Sequence, residues 1–197
     1  QHYLELGRKV LSQAERRILH GESVPVEDKI VSIFEDHTDI IVKDRRKTHY
    51  GHKLNLATGA SGLILDCVVE QGNPSDVSRA VSLVERQREI YNKIPRQVSL
   101  DGGYASKDNL QEIKDLGVKD VAFSKKRGLE IGEMVKSAWV YKKLKRFRAG
   151  IEAGISFLKR CFGLDRCTWR SLESFHSYVW GSVISANLLM LARHSLK

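Results

Sequence analysis

Two carboxylates stand in settings that could carry chemistry. Asp101 closes the apolar run of "VSLDGGYAS" and is followed by Gly102 and Gly103, which keep side-chain bulk away from the acid so that a metal or phosphate could approach. Glu152 lies in "RFRAGIEAGISFLKR", Arg146 to Arg160, with Gly150 and Gly154 on either side. At the helical ~100° per residue, Phe147, Ile151, Ile155, Leu158 and Phe162 share one face, and Arg148, Glu152 and Lys159 fall within about 40° of one another along its edge. Oxygen ligands of this type are what magnesium prefers. Two metal ions held by such acids activate a water or a 3′-hydroxyl and stabilise the leaving oxygen in phosphodiester chemistry. Each half also has a plainer reading: Asp-Gly-Gly is ordinary turn chemistry, and Arg148 with Glu152 is an i,i+4 surface pair in the less favourable order. Because a helix-interior glycine costs roughly 1 kcal/mol relative to alanine, Gly150 and Gly154 are expected to serve a close backbone approach.

The elements that must position these acids follow from periodicity. Residues 1 to about 20 have helical spacing at Leu4, Val10, Leu11, Ala14 and Ile18 and stop near Gly21. "KIVSIFE" and "DIIVKD" read as short strands, and "YGHKLNLATGASGLILDCVVEQG" as a hairpin turning at "TGASG". A helix of about four turns follows, capped by Ser75 or Asp76, then strand "RQVSLD", helix "SKDNLQEIKDLG" capped by Ser106, strand "KDVAFS" and the long helix that holds Glu152. A last helix is expected from Ser171. This order predicts an α/β fold with a mixed sheet flanked by helices. It also puts Asp101 just beyond the carboxyl end of a strand, where functional groups collect in such sheets.

Composition bounds the function. The 197 residues suffice for one domain with appendages. Thirty-three Lys and Arg against 24 Asp and Glu leave +9, which points to a polyanionic partner, nucleic acid before membrane. Cys67, Cys161 and Cys167 are odd in number and lack a framework spacing, which suits a reduced cytoplasmic compartment. The most apolar segment, Phe175 to Arg193, is interrupted by Ser177, Ser182, Ser185 and Asn187, so it reads as a buried helix rather than a bilayer span. His49 and His52, three apart on a strand, point to opposite faces, which argues against a zinc site. Trp139, Trp169 and Trp180 read as packing anchors.

The element order, "LDGGYAS" and the spacing Arg148-x3-Glu152-x6-Lys159 resemble the DDE transposases of bacterial insertion sequences, with their ribonuclease H-like core. More narrowly, "SIFEDHTDIIVKDRRKTHYGHKLNLATG" is similar to the ISNCY-type group. The resemblance implies a DNA transposase that cleaves and transfers strands with two magnesium or manganese ions. Asp101 and Glu152 would be catalytic metal ligands, with Arg148 and Lys159 in support. It implies double-stranded DNA, transposon ends and target, as partner, a homodimer on that DNA, no membrane, and a cytoplasmic, nucleoid-associated protein. Family members of the Tyr-Arg-Glu-Lys type have Tyr where Lys145 stands here, and Tyr141 lies one turn earlier.

The family's first acid ends a strand ahead of the hairpin, and nothing before residue 20 reads as that strand. Asp36, Asp39 and Asp66 are the available substitutes, none matching the motif, so the first acid stays unassigned. The expectation is therefore a helical segment at 1–28 and a ribonuclease H-like core at 29–197 without its first strand, inactive alone. The run Lys142, Lys143, Lys145 and Arg146 and the cluster Lys125, Lys126 and Arg127 would contact phosphates, positioning DNA without reading its sequence. Two alternatives remain: a catalytically dead remnant that only binds DNA or a protein partner, and a structure-specific nuclease on the same core.

Overall fold

The computed structural model describes residues 1–43 and 47–196. The chain runs through helix α1 (His2–Ile18), strands β1 (Asp39–Lys43), β2 (Lys47–Gly51), β3 (Leu54–Thr58) and β4 (Ile64–Val69), and helix α2 (Asp76–Tyr91). Strand β5 (Gln97–Leu100), helix α3 (Lys107–Asp115), strand β6 (Asp120–Phe123), the short helix α4 (Ile131–Met134) and the long helices α5 (Ala138–Phe162) and α6 (Leu172–Ser195) follow. Asp44, which ends the expected strand "DIIVKD", lies outside the described residues. Helices α2, α3, α5 and α6 start where a serine hydroxyl can accept a first-turn amide: Ser75 from Ser78, Ser106 from Asn109, Ser137 from Val140 and Ser171 from Ser174.

The α/β character is as expected, but among the described residues the strands form three separate ladders rather than one mixed sheet. β1–β2 and β3–β4 are antiparallel and β5–β6 is parallel. The expected strand at 29–35 does not form. Ile30 N–H reaches Gln13 Oε1 at 3.4 Å, and the amides of Phe34 and Glu35 both turn onto Ser32 Oγ at 3.2 Å. Local side chains thus take the donors that a ladder needs.

The hairpin is tied to the parallel pair by side chains instead. Tyr104, just after β5, donates its hydroxyl to Asn55 Oδ1 on β3 at 2.6 Å. Asn55 Nδ2 donates to Glu70 Oε1 at 2.6 Å, and Arg79 Nε of α2 donates to the same oxygen at 2.8 Å. Two apolar clusters flank this connection. The larger packs Ala80 and Val84 of α2, Leu110 and Ile113 of α3, Val121 and Phe123 of β6, and Val140 and Leu144 of α5. The smaller packs Cys67 against Val179 and Val183 of α6. Burial, and secondarily the charge of Asp66, raise the Cys67 thiol to about 12, so it sits there as a protonated apolar group.

Helix α5 has 25 residues and is about 37 Å long. Val140, Tyr141 and Leu144 are buried at its start and Leu158 near its end, while Phe147, Ile151 and Ile155 are only partly covered. The predicted stripe is therefore a bridge between two packing regions. Gly150 and Gly154 do not serve a close approach, because a Cβ at either position meets nothing within 4 Å. Gly150→Ala and Gly154→Ala are each expected to stabilise the protein by up to about 1 kcal/mol in urea unfolding. A loss of stability in either would show that the strip is packed.

Candidate active site

Asp101 sits at the carboxyl end of β5, and its Oδ1 accepts from Gly102 N–H and Ser124 Oγ, each at 2.7 Å. Ser124 follows β6, so the parallel register Leu100↔Phe123 brings the two strand ends together. Gly102 and Gly103 do make room, but protein fills it: a Cβ on Gly102 would strike the Lys125 stem, and one on Gly103 would strike the Asp76 carboxylate. Burial alone would raise the Asp101 pKa. The hydrogen bonds from Ser124 and Gly102 and the charge of Arg148 outweigh it and hold the carboxyl below its ordinary value.

Arg148 brings Asp101 and Glu152 together. Its Nη2 is 3.2 Å from Asp101 Oδ2 and its Nη1 is 3.5 Å from Glu152 Oε1. Nη1 is within ion-pair range of Glu152 but makes no hydrogen bond. The Arg148 side chain is 15% exposed, whereas that of Glu152 is 74% exposed. The expectation that Glu152 lies beside the core is corrected: the middle of α5 runs between its buried start, Val140 to Leu144, and Leu158 near its end, leaving Glu152 in high-dielectric surroundings. Lys159 stands apart from this group and lies 3.8 Å from Asp165.

The other expected residues divide clearly. Lys142, Lys143, Lys145 and Arg146 are exposed on α5, and Lys125, Lys126 and Arg127 are exposed in the turn after β6. Trp139 is an exposed residue with Lys143 Nζ over its ring at 5.6 Å, Trp169 is 56% exposed with its ring edge-on to Tyr178 at 5.6 Å, and Trp180 is 36% exposed. Tyr141 is buried and donates to Phe123 O at 3.0 Å, which makes it a core residue. Asp66 is buried on Arg86 Nε at 2.6 Å. Asp36 lies 3.7 Å from His2. Asp39 joins a chain in which its carboxylate meets His52 Nδ1 at 3.1 Å, His52 Nε2 meets His37 Nδ1 at 2.8 Å, and His37 Nε2 meets Glu35 at 2.8 Å. The two histidines brought together are thus 15 residues apart, not the His49 and His52 of one strand.

The sequence reading missed Asp76 as a neighbour of Asp101. As the first residue of α2 it registered only as a cap, yet it pairs with Lys53 Nζ at 3.1 Å and lies against Gly103. Beside it, burial and the charges of Asp76, Glu70 and Asp101 raise Tyr104 to about 12, so its phenol remains a donor.

The family whose members carry a "Transposase DDE domain" matches residues 27–188. The chain belongs to that family. No curated protein and no solved structure matches the chain. The transposase domain is thus an enzyme of DNA transposition and recombination, its family acts on DNA with divalent metal ions, and no described helix is long and apolar enough to cross a membrane.

The residues fit one ion better than two. Asp101 Oδ2 and Glu152 face a single cationic group, Arg148, and magnesium is commonly held by one or two carboxylates with substrate phosphates. Among the described residues no three His, Cys, Asp or Glu side chains lie close enough to hold a metal. The lowered Asp101 pKa has a sign: its contribution to stability is present above the unfolded value near 3.9 and is lost as pH falls through the folded value. Asp101→Asn is expected to flatten the acid limb of the unfolding midpoint below about pH 4. A limb as steep as in the wild type would show that the carboxyl gains nothing from these contacts.

Proposed function

We propose that this transposase domain cleaves and joins DNA strands with Asp101 and Glu152 as catalytic carboxylates and Arg148 as their exchangeable counter-charge. The observation that carries the reading is the shared guanidinium: it places both acids on one positive centre although 51 residues separate them in sequence. A magnesium or manganese ion held by Asp101 and Glu152 would supply activation of a water or 3′-hydroxyl and stabilisation of the leaving oxygen. Arg148, released from the acids, would then turn to a DNA phosphate, to which a planar guanidinium binds bidentately. Ser124 and Gly102 keep Asp101 aimed throughout by holding its other oxygen.

The basic face of Lys142, Lys143, Lys145 and Arg146 and the turn Lys125 to Arg127 would track the duplex backbone, with Lys159 at the far end of the same helix. This reading extends to the ISNCY-type, Arg-Glu-Lys class, to a homodimer on DNA and to a cytoplasmic, nucleoid-associated protein. It also keeps the division into a helical segment at 1–28 and a ribonuclease H-like core at 29–197. One observation favours the catalytically dead remnant: Arg148 already neutralises both acids.

Manganese binding separates the two. The chain is expected to bind one Mn2+ weakly, detectable by electron paramagnetic resonance. Glu152→Gln should weaken that binding about tenfold or more, leaving duplex affinity and fold unchanged. Mn2+ binding indifferent to both Glu152→Gln and Asp101→Asn would sink the catalytic assignment. Duplex binding should weaken steeply between low and physiological salt, and a flat response would remove the basic face as a DNA surface.

A further inference from the structure

Helix α1 is attached to the rest of the protein by its polar side. Leu6 is its buried residue. Gln13 Nε2 donates to Asp28 O at 2.9 Å, its Oε1 accepts from Ile30 N–H, and Arg16 Nε donates to Glu22 at 2.9 Å. On the opposite side Leu4, Leu11 and Ile18 are 70%, 71% and 76% exposed. These three are spaced seven apart, so they drift only about 20° per step and form one straight apolar seam. Gly7 and Ala14 lie on one flank of the seam, small enough for a second helix to come close, and Arg8 and Glu15 lie exposed on the other. The segment lies ahead of residues 27–188, so the family match does not account for it.

We propose that this seam is the self-association surface of the protein, with the α1 helices of two copies packed antiparallel about a two-fold axis at Leu11. Reversal about Leu11 sets residue 11−n against residue 11+n. Leu4 then meets Ile18 of the second copy, Leu11 meets its counterpart, and Arg8 lies beside Glu15, a contact that an isologous interface makes twice. Flanking charges of this kind set the orientation of paired helices. Parallel pairing would place Arg8 beside Tyr3 and Glu15 beside Val10, with no charge match, and would align the helix dipoles. Antiparallel pairing is the arrangement that the sequence of α1 complements. The proposal deepens the homodimer part of the functional reading and is independent of its catalytic part.

Sedimentation equilibrium of the chain without DNA or metal tests it. The wild type is expected to show a reversible monomer–dimer equilibrium, and Leu11→Lys to be monomeric with an unchanged circular dichroism spectrum. Arg8→Glu sets like charges together twice and should weaken the dimer roughly tenfold, and Arg8→Glu combined with Glu15→Arg should restore it. A wild type that is monomeric throughout would overturn the proposal and leave the seam to a different protein or to another segment. A double exchange that fails to rescue would overturn the antiparallel register. Neither result bears on Mn2+ binding, so failure here and failure of the catalytic assignment remain distinguishable.

Discussion

The buried chain of hydrogen bonds from Arg79 through Glu70 and Asn55 to Tyr104 is the constraint on which the rest of the structure depends. Among the described residues the strands form three two-stranded ladders, and this chain of side chains links the hairpin to the parallel pair. Glu70 and Asn55 are both buried, so each group in the chain must keep its partner or leave an unsatisfied polar atom in a low-dielectric region. The chain ends at Tyr104, three residues after Asp101. A structural network thereby fixes the turn that carries the acid, and the negative charges around Tyr104 help to keep the phenol protonated as a donor.

The acids are positioned from two sides by unlike means. Asp101 is held locally, by Gly102 and Ser124 at the paired ends of parallel strands. Glu152 is held only by the course of α5, whose start is buried on the larger apolar cluster and whose end packs near α6. Its exposure leaves the side chain room to move, as the proposed exchange of arginine for an ion would require. Arg148 takes the partly buried position between them and prevents two carboxylates from facing each other without a compensating charge.

A second polar chain, Glu35–His37–His52–Asp39, ties the irregular segment ahead of β1 to the β2–β3 turn. It continues into Gly72 N–H, which donates to Asp39, and into Ser171 N–H at the start of α6, which donates to Glu35. Asp39 and Asp66, two of the substitutes for the unassigned acid, are therefore committed to structural partners. Asp76 lies against Gly103, two residues after Asp101.

Local signals were legible in the sequence because their causes are local. Serine caps marked the helix starts, the "TGASG" turn marked the hairpin, and the apolar run ending in Asp101 marked a strand end, since each depends on neighbours within a few residues. The helical projection likewise grouped Arg148 with Glu152. What periodicity could not supply was which surface each stripe meets. The Gly150 and Gly154 strip proved bare, the seam of α1 proved to face outwards, and Gly102 and Gly103 proved to make room for Lys125 and Asp76. The loss of the strand at 29–35 was equally invisible, because Gln13 and Ser32 take its amides. Sequence determined most of the elements and the residue types available for chemistry, through dihedral preference and spacing. Only the tertiary structure decided which acids share Arg148, because that contact joins residues 47 positions apart and depends on how strand and helix pack.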